Sequence, residues 1–208
     1  MKRVLCFGDS NTWGYDPATG NRLERDVRWT GVLRNALGPS YEVIEEGLNG
    51  RTTVWNDPIE GYKNGHDYLI PCLETHRPFD LIIIMLGSND LKKRFSVSAY
   101  DIAKGAGVLV EVVQKSDAGI GGAAPKVLLV APPPVAKLTG YAEMFEGSEP
   151  KSRKLGEHFK NVAAEIGCAF LDASTVVVSS DLDGIHLEKE EHTKLGQAMA
   201  AKVKQLIG

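Results

Sequence analysis

The feature that most constrains the fold is the run Leu81–Leu86, in which every residue is apolar. A membrane-spanning helix needs about 20 such residues, so this run is far too short to cross a bilayer. Its length suits a buried strand, which typically has about 4–8 residues. A strand that is apolar on both faces must be covered on both sides, as in a parallel sheet with helices above and below it.

Four further short apolar runs alternate with stretches that have the spacing of amphipathic helices, such as Ala99–Lys115 and Glu190–Leu206. Alternating strands and helices indicate a doubly wound, flavodoxin-like α/β fold. We therefore predict one domain over residues 1–208, built on a five-stranded parallel sheet with helices on both faces. The predicted strands are Val4–Phe7, Tyr41–Ile44, Leu81–Leu86, Lys126–Ala131 and Ala169–Leu171.

The composition argues against several classes of partner. The 208 residues carry a formal net charge of -3 and no long basic run, which disfavours nucleic acid or an anionic membrane as the main partner. The three cysteines, Cys6, Cys72 and Cys168, lack metal-type spacing and are expected to be reduced thiols. Because the sequence contains neither a signal-peptide pattern nor a long apolar segment, we expect a soluble, cytoplasmic protein.

Two motifs could supply a nucleophile and a base. Ser10 follows the first strand at a strand-to-helix turn, where its hydroxyl would be exposed, although a serine here can equally cap the next helix. Asp183 and His186 enclose a glycine, so one turn can bring the carboxylate to the imidazole and fix its tautomer. An ordinary Asp-Gly turn is the alternative for this second motif.

Two further motifs could supply hydrogen-bond donors. Asn89 follows the third strand, and its amide can donate to a developing oxyanion; Gly50 follows the second strand, and no side chain blocks its backbone N–H. Either motif alone suits a simple turn. Since sites in open α/β sheets lie beyond the carboxyl ends of the strands, all four motifs are expected at one edge. Together they supply the roles that acyl transfer needs.

The chain resembles the SGNH (GDSL-like) hydrolases, and within them the bacterial arylesterase/acyltransferase branch. The family's name refers to Ser10, Gly50, Asn89 and His186 as they stand in this sequence. Asn11 is a departure, because the motif usually has leucine there. The stretches that carry the resemblance are CFGDSNTWGYDP (6–17), DVRWTGVL (26–33), YEVIEEGLNGRTT (41–53), FDLIIIMLGSNDLK (79–92), APKVLLVAPPP (124–134) and DGIHL (183–187).

The resemblance implies a serine esterase for short-chain, acetyl-like esters, aryl esters included, that works through an acyl-serine intermediate. Ser10 would be the nucleophile, His186 the base, and Asp183 the residue that orients the base. The backbone N–H groups of Ser10 and Gly50 and the Asn89 amide would hold the oxyanion. Acyltransferase or perhydrolase side activity, no cofactor, no metal and a homo-oligomer, with an octamer as the suggested assembly, are also implied.

Five residues are assigned to the substrate pocket on the same resemblance: Asp9, Asn11, Trp13, Trp29 and Asn49. Trp13 lies three residues past Ser10 and would project from the same side of a helical turn. We expect the rings of Trp13 and Trp29 to narrow the acyl pocket to acetyl-sized groups, with a place in the core or in an interface as the alternative. Asp9 is also expected to brace the nucleophile turn.

Other functions use the same residues. A carbohydrate acetylesterase or an acyl-thioesterase would use the same triad. Outside this class, Ser10–Gly14 resembles the phosphate loop of a flavin- or nucleotide-binding module, although that leaves Asn89 and the Asp183–His186 pair without a role. Asp9, Asp183 and His186 could also be drawn as a metal site, but oxygen and nitrogen ligands scattered in this way support it weakly.

Overall fold

The computed structural model describes residues 1–208, and a five-stranded sheet lies at its centre. Every pair of neighbouring strands is parallel, and the spatial order is β2-β1-β3-β4-β5. This order confirms the predicted doubly wound α/β fold. The strands are β1 (Lys2–Gly8), β2 (Tyr41–Gly47), β3 (Leu81–Met85), β4 (Lys126–Ala131) and β5 (Ala169–Asp172).

Helices cover both faces of the sheet. One core layer is formed with α3, α4 and α6, and the other with α2 and α7. None of the helices combines the length and the apolar composition that crossing a membrane requires. The helices are α1 (Ser10–Trp13), α2 (Trp29–Leu37), α3 (Gly65–His76), α4 (Ala99–Gln114), α5 (Ser148–Ser152), α6 (Leu155–Ile166) and α7 (Lys189–Ile207).

The central strand β3 explains why the longest apolar run has no polar residue. Ile82 and Ile84 belong to the core cluster on one face of the sheet, whereas Leu81, Ile83 and Met85 belong to the cluster on the other. Successive side chains of a strand point to opposite faces, so a strand between two helical layers must be apolar at every position.

Two helix boundaries differ from the sequence pattern. The spacing of Val27, Leu33 and Leu37 predicts a helix from Asp26, but α2 begins at Trp29, because Arg28 has an extended backbone and residues 24–28 form a turn. The sequence pattern also predicts a helix over Ser152–Ile166, but α6 begins at Leu155 and Ser152 is the last residue of the separate helix α5. Ser152 lies at this division, where its hydroxyl accepts from the N–H of Val135 at 3.0 Å and so ties the chain to the loop after β4.

The first helical turn after β1 is fixed by a close backbone approach. At Gly47, the last residue of β2, an added Cβ would lie 2.1 Å from the backbone nitrogen of Trp13. Only glycine leaves room for α1 to sit against the end of β2. This packing places Ser10, the first residue of α1, at the carboxyl edge of the sheet.

His192 on α7 is a buried titratable group that should make folding sensitive to acid. Its Nδ1 accepts from the backbone N–H of Trp29 at 3.2 Å, and burial lowers the pKa of its imidazole from 6.5 to about 4. As the pH falls, the unfolded chain therefore binds this proton at a higher pH than the folded chain does. We expect this residue to remove about 3 kcal/mol from the free energy of unfolding as the pH falls from 6.5 to 4.

Urea unfolding at pH 7.5 and pH 4.5 tests this in His192→Asn, which keeps an acceptor near the position of Nδ1. The loss of stability between the two pH values should be smaller in the variant than in the wild type. His66→Asn, at a side chain that is 40% exposed, is the matched control and should keep the wild-type dependence. An equal loss in His192→Asn and in the wild type would contradict the assignment.

Candidate active site

Three side chains form a continuous hydrogen-bonded chain at the carboxyl edge of the sheet. Ser10 Oγ lies 2.9 Å from Nε2 of His186, and Nδ1 of His186 lies 2.6 Å from Oδ2 of Asp183. All three residues are buried. Because an ionised carboxylate only accepts, His186 donates from Nδ1 and leaves Nε2 free to accept the serine proton. The structure thus brings together the three residues that the sequence predicts as nucleophile, base and orienting carboxylate.

The turn that carries His186 is organised around the other oxygen of Asp183. Oδ1 accepts from the backbone N–H groups of Ile185 and His186, at 2.9 and 3.0 Å. Burial by itself raises the pKa of Asp183, but the hydrogen bonds and the neighbouring imidazole outweigh it, so the pKa lies below its ordinary value. The carboxylate is therefore held ionised and in a fixed orientation against the imidazole.

Two tyrosines enclose the imidazole. The ring of Tyr15 lies 4.1 Å from that of His186 between centroids, and Tyr141 meets the same imidazole edge-on at 6.2 Å. Their hydroxyl groups are 3.3 Å apart, and this hydrogen bond, with burial, raises the pKa of Tyr141 to about 12. These contacts restrict the imidazole to one orientation and link the segment after α1 to the loop after β4.

Hydrogen-bond donors converge on the space in front of Ser10. One N–H of the Asn89 amide donates to the carbonyl of Arg51 at 3.1 Å, which leaves the second amide hydrogen for the pocket. The backbone N–H of Gly50 makes no hydrogen bond within the chain. Ser10 begins α1, where N–H groups have no partner inside the helix. The three predicted oxyanion donors are thus gathered at one place.

A pocket opens at the serine hydroxyl. Its volume of about 150 Å³ is below the roughly 300–1,000 Å³ of sites that hold drug-sized ligands. The segment between β2 and α3 and the segment between β4 and α5 together supply half of its lining residues. The lining residues are Ser10, Tyr15, Asn49, Gly50, Glu60, Asn89, Lys92, Tyr141, Met144, Phe145, Ile185 and His186.

Of the five residues that the sequence assigned to the pocket, Asn49 lines it and the other four do not. Trp29 is fully buried in the core beside α7. Trp13 ends the single turn of α1 and is covered by Arg22, whose guanidinium lies 5.2 Å from its ring. The expectation that these two rings narrow the acyl pocket is therefore wrong.

Asp9 and Asn11 are also absent from the pocket wall, because their side chains bond to the backbone. Asp9 accepts from the N–H of Asn11 at 3.0 Å and so braces the turn that carries Ser10. Burial raises the pKa of Asp9 to about 6, although this N–H and the charges of His186 and Arg51 lower it. Asn11 donates to the carbonyl of Ile185 at 3.3 Å and accepts from the N–H of Leu187 at 3.0 Å. Its amide therefore bonds on both sides of His186.

The alternative metal set of Asp9, Asp183 and His186 does not form a ligand cluster, because both nitrogens of His186 already bond within the triad. A different group could offer ligand atoms: those of Glu46, Cys72 and His76 lie within 4.8 Å of one another. His76 and Glu46 form a hydrogen bond of 3.0 Å there. Burial raises the pKa of Cys72 to about 12, which disfavours the thiolate that metals bind.

Among the pocket residues that were not predicted individually, four carry polar or charged groups: Tyr15, Glu60, Lys92 and Tyr141. Two of them lie in the loops at 47–65 and 132–150, which are longer than a crossover needs. Loops of this length often carry functional residues, but their length does not specify which side chains line a pocket. Tyr15 and Lys92 fall inside the motifs around Ser10 and Asn89, yet nothing in their spacing assigns them to the pocket.

Comparisons with known proteins identify a family and several similar structures. Residues 6–193 match the model of the GDSL-like lipase/acylhydrolase family. Among solved structures, an aryl esterase of M. smegmatis is similar at 46% identity and a TM-score of 0.96, and the match covers 100% of each chain. A carbohydrate acetylesterase from Sinorhizobium meliloti is similar at 42% identity and a TM-score of 0.96, again over 100% of each chain. No curated protein matches the chain.

Proposed function

The chain belongs to the GDSL-like lipase/acylhydrolase family, the SGNH hydrolases, and on this premise we propose that it is a serine esterase for short-chain acyl esters, aryl esters included. The observation that carries the proposal is the hydrogen-bonded chain from Ser10 through His186 to Asp183, at 2.9 and 2.6 Å. A flavin or nucleotide site would need neither this chain nor the donors of Asn89 and Gly50.

In the proposed reaction, His186 Nε2 takes the hydroxyl proton as Ser10 Oγ attacks the carbonyl carbon of the ester. The carbonyl oxygen becomes negative and accepts hydrogen bonds from the Asn89 amide and the N–H of Gly50. When the tetrahedral intermediate collapses, His186 gives its proton to the departing alcohol oxygen. An acyl-serine remains, and Asp183 stabilises the imidazolium in both steps.

The second half of the reaction returns Ser10 to its starting state. A water molecule gives its proton to His186 and attacks the acyl carbon, and the released serine oxygen then recovers that proton. An alcohol or hydrogen peroxide can take the place of water, which would give acyl transfer or perhydrolysis as side activities. The small pocket volume, about 150 Å³, supports acetyl-sized acyl groups.

A serine-directed phosphonate and an ester series test the proposal together. We expect the phosphonate to stop hydrolysis and to be found by mass spectrometry on the peptide that contains Ser10. Aryl acetates should be hydrolysed with a higher kcat/KM than aryl octanoates, because the longer chain exceeds the pocket. A label on another residue, with ester hydrolysis intact, would refute the proposed nucleophile.

Asn11 is proposed as a positioning residue, since its amide bonds to the backbone on both sides of His186. In Asn11→Leu the turn at Ile185–Leu187 loses both bonds. A displacement of about 1 Å in a catalytic group can reduce the rate roughly 100-fold, so we expect kcat to fall by about 10- to 100-fold with little change in KM. Steady-state kinetics on phenyl acetate give both constants.

The control separates positioning from general loss of stability. Ser98→Ala removes the capping box of α4, and loss of a cap typically lowers stability by about 1 kcal/mol. We expect kcat to be unchanged in Ser98→Ala at a comparable loss of stability. A folded Asn11→Leu protein with the kcat of the wild type would rule out the positioning role.

A further inference from the structure

The lining of the pocket in front of Ser10 has an apolar part and a charged part. Tyr141, Met144 and Phe145 supply apolar surface together with Ile185, and Glu60 and Lys92 supply charged side chains. Charged groups are few in ligand pockets, and those present usually fix the orientation of the ligand. The charged side chains therefore indicate which groups the substrate has outside its acyl group.

The two carboxylate oxygens of Glu60 have different surroundings. Oε1 lies 2.5 Å from Nζ of Lys92 and 3.6 Å from the guanidinium of Arg94. Oε2 has no hydrogen-bond partner within the chain, and a Cβ added at Gly50 would lie 2.4 Å from it. The side chain of Glu60 is 31% exposed. One oxygen is thus held by the protein, and the other lies beside the candidate oxyanion site.

The backbone that carries Glu60 is fixed as well. Asp57 accepts from the N–H groups of Ile59 and Glu60, at 2.9 and 3.0 Å, and forms ion pairs with Arg94 at 3.0 Å and Lys92 at 3.5 Å. The side chain of Lys92 is only 3% exposed. An acceptor supported in this way keeps its position when a substrate enters.

We propose that Oε2 of Glu60 accepts a hydrogen bond from a hydroxyl group of the substrate's alcohol, next to the ester oxygen. We assign this hydroxyl group to the alcohol part of the ester because a short acyl group carries no hydrogen-bond donor. A free carboxylate oxygen beside Gly50 opposes the negative charge that develops on the ester carbonyl oxygen. A neighbouring hydroxyl group satisfies this acceptor, whereas an ester without one leaves it desolvated and unpaired.

This inference rests on the proposed esterase function and names its substrate class: acetyl-like esters of alcohols with vicinal hydroxyl groups, such as polyols and sugars. Hydrogen bonds to charged groups contribute enough to change a rate by roughly 10- to 100-fold. Glu60 is accordingly a specificity residue. Its effect should depend on the donor in the substrate and not on the acyl group.

A matched pair of substrates tests the inference: 2-hydroxyphenyl acetate, which has the donor, and 2-methoxyphenyl acetate, which lacks it. We expect the wild type to favour the hydroxyl ester by about 10- to 100-fold in kcat/KM. In Glu60→Leu the ratio of the two kcat/KM values should fall close to 1. Glu60→Gln, which keeps the size and a neutral acceptor, should give an intermediate ratio and serves if the leucine variant fails to fold.

Glu143→Leu is the control. Glu143 is an exposed carboxylate in the loop after β4, and it does not line the pocket. Its ratio should equal that of the wild type. A wild-type ratio near 1, or a ratio unchanged in both Glu60 variants, would overturn the role of Glu60 while leaving the esterase proposal intact. Failure of the wild type to hydrolyse either ester would instead refute the esterase proposal itself.

Discussion

Replacing Ser10 with alanine is expected to remove ester hydrolysis, with a loss in kcat on the order of a million-fold, as for serine nucleophiles in comparable triads. The reason is that no other hydroxyl group lies within hydrogen-bond reach of His186 Nε2, so the imidazole has no nucleophile to activate. Phenyl acetate hydrolysis, followed at enzyme concentrations high enough to detect a residual rate, measures the loss.

The fold of the Ser10→Ala protein should stay intact. Ser10 caps nothing: the side chain that caps α1 is that of Asp9, which accepts from the N–H of Asn11. Thermal unfolding should therefore give a midpoint close to that of the wild type. Ser98→Ala, far from the site, is the serine control and should retain full activity. Undiminished hydrolysis by Ser10→Ala would end the proposal that this serine is the nucleophile.

Replacing Asn89 with alanine is expected to lower kcat by about 100- to 1,000-fold, the usual effect of losing one oxyanion donor. KM should change much less, because the charge on the carbonyl oxygen develops only in the transition state. Asn89→Asp should be at least as damaging, since a carboxylate of the same shape places an acceptor where a donor is needed.

The loss of the oxyanion donor must be distinguished from the loss of the hydrogen bond that Asn89 donates to the carbonyl of Arg51. The carbonyl of Arg51 loses its side-chain partner in both variants, so a purely structural role would lower stability without a selective loss in kcat. Asn35→Ala, at an exposed asparagine that bonds to Asp26, controls for the substitution itself and should behave as the wild type. Equal kcat values in the wild type and Asn89→Ala would exclude the amide from the oxyanion site.

The sheet and the triad could be predicted because local sequence determines them. A strand that is buried between two helical layers is apolar at every position, as in Leu81–Leu86, and this pattern can be recognised without the rest of the chain. Asp183 and His186 are joined by one turn, so their contact needs no distant residue. Ser10, Gly50 and Asn89 come from different strands, but the carboxyl ends of parallel strands meet at one edge, so the fold class alone gathers them.

The pocket walls could not be predicted in the same way. Helical spacing placed Trp13 beside Ser10, but α1 is a single turn whose end packs on β2 under Arg22. Whether Trp29 faces the site or the core depends on the sheet face that α2 covers, which its own sequence does not specify. Asn11 similarly gains its role from Ile185 and Leu187, more than 170 positions away.

Sequence by itself determined the fold class and the candidates for nucleophile, base and oxyanion donors, because periodicity, short motifs and strand ends are local properties. Only the tertiary structure decided which side chains line the pocket in front of Ser10. The position of Tyr141 beside His186 and that of the free oxygen of Glu60 beside Gly50 result from two long loops that pack against distant elements. Such packing depends on the sum of many long-range contacts, and no local pattern encodes it.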